Sequence, residues 1–297
     1  MHSAVLDWYA ANGRDLAFRR TRDPWAVLVS EVIAQQTQAA RAAEAWERFI
    51  DAFPTPAALA AVSPATVIRA WRGLGYNRRA IALRAAAIRI VEDHGGRVPD
   101  TLDLLTALPG VGPYTARAVL AFAFDRPVAP LDTNIRRVLD RALGPLPTAP
   151  RALQSTADGF VPPDAAADWA HALMDVGATI CVARIPRCDA CPIRDWCRAT
   201  QTSSPPMVEG SRSRPKAIAR KTPFPATSRW LRGRILDRLR DATNDAWVAF
   251  EDPIGTHPLP AVLAEVRRMS SEGLLETDST TNGARLVSSS YLVKPPG

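Results

Sequence analysis

All four cysteines of this 297-residue chain lie in one short segment, CVARIPRCDACPIRDWC, which spans residues 181–197. Disulfides are rare in a reducing cytoplasm, and structural zinc sites usually pair two close Cys-x2-Cys knuckles across a longer loop. Here only one pair is close, and the outer two cysteines reach in from six and five residues away. This spacing favours a [4Fe–4S] cluster with one thiolate on each iron over a zinc ion. The ligands would be Cys181, Cys188, Cys191 and Cys197.

The rest of the composition indicates a cytoplasmic protein with a polyanionic partner. The N-terminus has acids and arginines where a signal peptide needs an apolar run, and no stretch is apolar enough for a membrane span. The net charge is +7 and the isoelectric point is about 9.7, which favours association with phosphate groups. Nearly all of this positive charge is arginine, since lysine occurs only at Lys216, Lys221 and Lys294.

Helical periodicity dominates residues 1–200, where apolar side chains recur at helical spacing and short Pro- and Gly-containing loops separate the segments. No alternating strand pattern competes, so we predict an all-α domain. Residues 201–228 are rich in Ser, Pro and basic residues, a composition typical of a linker.

The C-terminal tail, residues 229–297, has a different pattern. Two amphipathic helices are predicted over 228–241 and 259–276, followed by a turn-rich hairpin over 277–288. Helix, helix and hairpin are the order of a small α+β winged-helix-like module. Such modules dock on DNA or on proteins, and the sequence does not distinguish the two.

A helix–turn–helix signal lies in LLTALPGVGPYTARAVLAF, residues 104–122. Gly110 and Gly112 permit positive φ, which lets consecutive backbone N–H groups converge on one point. Pro113 suits the first helical position, where its missing donor costs nothing. The result is a helix N-terminus aimed at an anion such as a DNA phosphate.

These features resemble a known family. LPGVGPYTARAVL, the aspartate in PLDTNIRRVL and the cysteine spacing are similar to the helix-hairpin-helix base-excision glycosylases with an iron–sulfur cluster, the group of endonuclease III and MutY. Within that group, SEVIAQQTQ (30–38) and GLGYNRRA (73–80) resemble the MutY-type adenine glycosylases. Those enzymes remove adenine mispaired with 8-oxoguanine.

The resemblance implies an endonuclease III-like fold in a glycosylase domain over residues 1–200. A six-helix barrel is expected from about 24 to 127, and a cluster domain from 1–23 combined with 128–200. The implied partner is double-stranded DNA with an adenine mispair, bound by a monomer at the nucleoid. Residues 229–297 are too few and too helical for the Nudix-like domain with which most MutY-type enzymes read 8-oxoguanine.

Cleavage of an N-glycosidic bond to adenine needs an acid near the base and an anion near the sugar C1′. Glu31 is the candidate acid, because partial burial beside the apolar stripe of its helix would raise its pKa. Asp132 is the candidate anion, and its place before a helix also predicts an N-cap. Tyr114 stands where endonuclease III-type enzymes carry a nucleophilic lysine, and no lysine precedes Lys216. A monofunctional glycosylase is therefore expected.

Further roles come from the resemblance alone. It implies that Tyr114 and Asn134 support Asp132 and the flipped nucleotide, and that Arg19 and His171 lie near the adenine. The positions implied to contact DNA are Gln36, Thr37, Tyr76, Gly110 and Gly112.

Two other functions remain open at this point. A thymine or uracil mismatch glycosylase of the same superfamily can also carry tyrosine at the position of Tyr114, although EVIAQQTQ argues against it. A non-catalytic iron–sulfur DNA-binding protein would use the winged-helix-like tail instead. The presence of both Glu31 and Asp132 argues against that alternative.

Overall fold

The computed structural model describes residues 1–201, 222–242, 246–278 and 280–288. Most of the predicted linker, residues 202–221, lies outside this described part. The described residues are mainly helical, and their strands all belong to the C-terminal region, so the predicted fold class is confirmed. No helix among them is long and apolar enough to cross a lipid bilayer.

The chain divides into two compact units, each made of two segments. Unit 1 combines Met1–Ile50 with Val98–Arg212, and unit 2 combines Asp51–Arg97 with Ser213–Gly297. The domain limits expected above stay a prediction.

The described residues of unit 1 form helices and loops without strands, and α3 runs two residues into unit 2. Its helices are α1 (His2–Asn12), α2 (Pro24–Ala34), α3 (Ala39–Ala52), α7 (Leu102–Thr106), α8 (Pro113–Phe124), α9 (Thr133–Leu143), α10 (Pro150–Asp158), α11 (Ala166–Thr179) and α12 (Arg198–Gln201).

Helices α2 and α8 form the apolar centre of unit 1. Asp23 caps α2 by accepting a hydrogen bond of 2.7 Å from the amide of Ala26, and Pro24 occupies the first position. Every residue from Trp25 to Ile33 is buried, so α2 is enclosed on all sides. The two helices pack together, and Gln35 at the end of α2 donates to the hydroxyl of Thr115 on α8.

Helices α9 and α11 pack closely because of a glycine. A Cβ at Gly177 of α11 would lie 2.6 Å from the Cβ of Asn134 on α9, so any larger residue would push the helices apart. On its other side α11 packs against α1, where Val5 and Trp169 are buried. This close packing fixes the start of α9 relative to the end of α11.

Unit 2 begins with α4 (Pro56–Ala61), α5 (Pro64–Ala70) and α6 (Arg78–His94). Thr55 and Ser63 cap the first two of these helices, and a proline follows each cap. Helix α6 packs against α4, and the buried Arg84 donates to the carbonyl of Val62 at 2.7 Å.

The C-terminal region of unit 2 contains α13 (Ser228–Asp241), β1 (Val248–Ala249), α14 (Leu259–Ser271), β2 (Leu275–Asp278) and β3 (Gly283–Leu286). The strands form an antiparallel sheet of order β1-β3-β2, with Leu275 opposite Leu286. The second predicted helix was too long: α14 ends at Ser271 because Gly273 adopts a φ of +74°, and β2 begins inside the predicted helical range.

This C-terminal region shares one hydrophobic core with α5. Ala65 and Ile68 of α5 are fully buried against Leu231, Ile235 and other apolar residues of α13, α14 and β3. The amide of Ala65 also donates to the carbonyl of Val287 at 2.9 Å. Within unit 2, the tail is therefore built onto the 51–97 segment.

Candidate active site

Glu31 is a buried carboxyl group on the otherwise apolar helix α2. Its exposed fraction is 9%, which is more complete burial than the sequence pattern predicted. Burial raises the pKa of Glu31 to about 7, and the charge of Asp132 adds to this effect. A hydrogen bond from Tyr114 and the positive charge of Arg19 oppose it. Glu31 can therefore hold a proton near neutral pH.

Tyr114 lies in the first turn of α8, and its hydroxyl donates a hydrogen bond to Glu31. Burial and the nearby Glu31 and Asp132 raise the pKa of Tyr114, so the phenol stays protonated. The resemblance implied that Tyr114 supports Asp132. The hydroxyl of Tyr114 donates its hydrogen bond to Glu31 instead. The charge of Asp132 acts on Tyr114 only by raising its pKa.

Asp132 is the N-cap of α9, as the sequence predicted. One carboxylate oxygen accepts hydrogen bonds from the amides of Asn134 and Ile135, at 2.9 and 2.7 Å. The other accepts from the side-chain amide of Asn134 at 2.9 Å. The carboxylate is thus fixed in orientation by the first turn of its own helix.

Asn134 is fixed in turn by Arg137, one turn further along α9. The guanidinium of Arg137 donates to the side-chain oxygen of Asn134 at 2.7 Å and to the carbonyls of Gly177 and Cys181 at 2.5 and 2.7 Å. A continuous set of hydrogen bonds therefore joins the Asp132 carboxylate to the start of the cysteine segment.

Arg19 is held by a fully buried carboxylate. Both terminal nitrogens of Arg19 donate to Asp175, at 2.8 and 2.9 Å, and the side chain and backbone amide of Arg14 donate to the same group. Asp175 is 0% exposed. Arg19 also lies close enough to Glu31 and His171 to lower the pKa of each. It therefore lies near both Glu31 and His171, and its place beside the adenine stays a prediction.

His171 is stacked on Phe122, with ring centroids 4.2 Å apart. Burial, followed by the charge of Arg19, lowers the pKa of His171 to about 3, so the imidazole is neutral at physiological pH. A neutral imidazole can accept or donate one hydrogen bond to a base edge.

The residues expected to contact DNA occupy separate turns. Gln36 is exposed, with a φ of +58°, and Thr37 follows it at the end of α2. Gly110 has the predicted positive φ of +76°, but Gly112 is extended at −86° and caps α8. Both glycines are exposed, while Val111 between them is buried. Tyr76 belongs to unit 2 and is half exposed.

The four cysteines are free thiols after the end of α11. Burial, followed by the charges of the other three cysteines, raises the pKa of Cys191 to about 11, so the other three thiols lie near that of Cys191. Buried Arg141 donates to the sulfur of Cys181 at 3.3 Å and to the carbonyls of Val182 and Ala183.

Four cysteine thiols within one short segment are a donor set that an iron–sulfur cluster or a structural zinc ion can use. A tetrahedral zinc site holds each sulfur about 2.3 Å from the metal, which brings the sulfurs together. A cubane cluster binds each thiolate through a different iron and needs the sulfurs further apart. The donor set therefore fits a [4Fe–4S] cluster.

Sequence reasoning missed three residues of this site: Asp175, Tyr9 and Arg137. Asp175 contacts Arg14 and Arg19 from more than 150 positions away. The Tyr9 ring lies under the guanidinium of Arg19, with a centroid distance of 6.0 Å. No local signal marks such long-range partners; Asp175 looks like any aspartate on a helix until α1 and α11 are packed together.

Comparison with known proteins agrees with this geometry. Residues 29–163 match the HhH-GPD superfamily of base excision DNA repair proteins. An adenine DNA glycosylase of Mycobacterium tuberculosis is 43% identical over 244 residues, which cover 80% of this chain and 78% of the relative. The chain therefore belongs to the HhH-GPD superfamily, in its adenine DNA glycosylase branch, and is a base excision repair glycosylase.

Solved structures support the same fold. A thermostable thymine-DNA glycosylase superimposes with a TM-score of 0.63 and 30% identity, over 67% of this chain and 94% of that one. An endonuclease III in a non-covalent DNA complex gives a TM-score of 0.57 at 24% identity, over 67% of this chain and 92% of that one. The predicted endonuclease III-like fold is confirmed.

Proposed function

We propose that this protein is a monofunctional glycosylase that excises adenine paired with 8-oxoguanine or guanine, acting as a monomer at the nucleoid. The observation that carries the proposal is the buried Glu31, whose pKa of about 7 suits a general acid at neutral pH. The name of the M. tuberculosis relative supports adenine as the base.

In this mechanism Glu31 donates its proton to a ring nitrogen of the flipped adenine. The electron pair of the N-glycosidic bond then leaves with the base, and positive charge develops at C1′ and the ring oxygen of the sugar. Asp132, fixed by three hydrogen bonds, stabilises that charge. A water oxygen adds to C1′ and gives a proton to the Glu31 carboxylate left by the first step, which restores the acid and leaves an abasic site.

Strand cleavage through a Schiff base would need a lysine amine near the sugar, and the glycosylase region contains no lysine. Tyr114 takes the place of the lysine of endonuclease III-type enzymes, and residues 1–215 contain no lysine. A protonated phenol bonded to Glu31 orients the acid and does not attack the sugar.

We further propose that Cys181, Cys188, Cys191 and Cys197 hold a [4Fe–4S] cluster. When bound, the cluster would cross-link the end of α11 to the loop that follows it. Arg141 and Arg137 already anchor this loop through its carbonyl groups. Metal analysis tests the assignment: about four iron atoms per chain support it, and one zinc per chain contradicts it.

The function is tested by incubating purified protein with duplexes that contain A:8-oxoguanine, A:G, A:C, G:T or G:U, followed by heating with or without alkali. Adenine-strand cleavage that requires alkali is the expected result. Cleavage without alkali would contradict the monofunctional assignment. The rate ratio for 8-oxoguanine over guanine shows how far this chain discriminates the opposite base.

A second candidate is a thymine or uracil mismatch glycosylase, which the 30% identity to a solved thymine-DNA glycosylase favours. Cleavage of the G:T and G:U duplexes in the same experiment, with intact adenine strands, would select it. DNA binding without cleavage of any duplex would select the non-catalytic alternative.

A further inference from the structure

The turn that connects α5 to α6 has an unusual backbone. Gly73, Gly75 and Tyr76 all take positive φ, at +86°, +67° and +45°. A left-handed conformation is common for glycine but uncommon for a bulky aromatic residue, where it costs conformational free energy. The turn nevertheless leaves the Tyr76 side chain 50% exposed. The chain thus maintains a strained turn that presents an aromatic ring to solvent.

An arginine from the C-terminal region lies on this ring. The guanidinium carbon of Arg229, the second residue of α13, is 4.9 Å from the ring centroid of Tyr76. The guanidinium of Arg79 lies 5.6 Å from the same centroid. These are cation–π distances. Arg229 is itself exposed, so the pair forms a surface feature of unit 2.

Packing around the turn holds α13 in place. Arg240 of α13 donates to the carbonyl of Ile68 at 3.1 Å and to the side-chain oxygen of Asn77 at 2.8 Å. Asn77 directly follows Tyr76, and Ile68 shares its core with Leu231. Buried residues of α13, up to three helical turns from Arg229, therefore fix the position of Arg229 beside Tyr76.

Arg229 differs from other arginines of α13 in its partners. Arg232 pairs with Glu265 and Glu272, and Arg234 and Arg240 both pair with Asp237. Within the described residues, no carboxylate lies within ion-pairing distance of Arg229. Among the described residues, its charge is therefore balanced by no carboxylate, and it lies next to a half-exposed aromatic ring.

We propose that Tyr76 and Arg229 act together as one contact with duplex DNA, in which α13 supplies the cation for a phosphate and Tyr76 stacks against a base. The proposal rests on the proposed function, because the role of Tyr76 at DNA is implied by the family. It gives the C-terminal region a part in DNA binding. Duplex DNA is the chosen partner because an aromatic ring and an arginine without a carboxylate partner in the described part of the chain match base and phosphate together, and the chain carries a net charge of +7.

The test measures DNA affinity of the full-length protein over a range of salt concentrations. One duplex is undamaged, and the other carries 2′-fluoro-adenine opposite 8-oxoguanine, which resists cleavage because fluorine disfavours an oxocarbenium-like sugar. The variants are Arg229→Ala, Arg229→Lys, Tyr76→Ala and the Arg229→Ala/Tyr76→Ala pair. Arg238→Ala is the matched control, since Arg238 is an exposed arginine on the same helix.

Arg229→Ala should weaken binding about tenfold and reduce the slope of log affinity against log salt by about one. Arg229→Lys should retain the slope, because the charge remains, and Arg238→Ala should change affinity less than twofold. The double variant should lose less than the sum of the single losses, because the two side chains form one contact.

Equal losses for Arg229→Ala and Arg238→Ala would overturn the proposal, because net charge alone would explain them. Additive losses in the double variant, or normal binding by Arg229→Ala, would also overturn it. These results are independent of excision. A wild-type protein that binds with the expected pattern but removes no adenine would contradict the proposed function and leave the Tyr76–Arg229 contact standing.

Discussion

Glu31 links the chemistry of the site to the stability of the protein. Its carboxyl group ionises near pH 4.5 when unfolded and near pH 7 when buried. A raised pKa contributes stability that is fully present below about pH 4.5 and is lost as the pH rises through about 7. The loss amounts to about 3 kcal/mol at most, from 1.36 kcal/mol per pKa unit.

Glu31→Gln should therefore abolish excision and raise the free energy of unfolding relative to the wild type at about pH 8, with a smaller change at about pH 5. Denaturant titrations at the two pH values measure this difference. Glu44→Gln, at an exposed position of α3, is the control and should show no such pH dependence. An equal effect of Glu31→Gln at both pH values would show that burial does not hold the proton.

Asp175 should control the reaction through Arg19. Removing its charge leaves the Arg19 cation uncompensated near Glu31, which favours the ionised carboxylate. For Asp175→Asn we expect the single-turnover rate to fall at neutral pH and to recover at lower pH, as the midpoint of the pH profile moves down by about one unit. The exposed Asp164→Asn is the control. A rate that falls equally at every pH would indicate loss of structure alone.

At the scale of elements, the two glycines of the turn before α8 are expected to respond differently to substitution. Gly110 has a φ of +76°, so Gly110→Ala should cost about 1–2 kcal/mol of stability. At Gly112 an added Cβ meets nothing within 4 Å and φ is negative, so Gly112→Ala should fold normally. It should still weaken DNA binding if the backbone here approaches a phosphate. Thermal melts and affinity measurements on both variants check this; unchanged affinity for Gly112→Ala would remove the hairpin from the interface.

How far sequence predicts each element depends on the range of the interactions that fix it. The N-cap at Asp132 follows from neighbouring residues and was predicted. Helix α14 was predicted too long because a single glycine, Gly273, ended a continuous apolar pattern. The Asp175–Arg19 contact joins segments distant in sequence, so no local pattern could reveal it.

At the scale of the whole molecule, the C-terminal region is expected to behave as part of the glycosylase. Ala65 and Ile68 are fully buried in a core that contains Leu231, Ile235 and Phe250. Removal of residues 222–297 would expose this apolar surface, and each large side chain lost from a core costs about 2–5 kcal/mol. The surface of α5 left behind would then favour aggregation.

A variant that ends at residue 221 should therefore melt at a lower temperature than the full chain and should lose the cooperative unfolding of unit 2. A full-length variant with Arg238→Gln, at an exposed position of α13, is the control and should keep the stability of the full protein. Scanning calorimetry on the three proteins measures both effects. If the variant ending at 221 melted like the full chain, the tail would be an independent module, and the shared core with α5 would contribute little to the stability of the glycosylase.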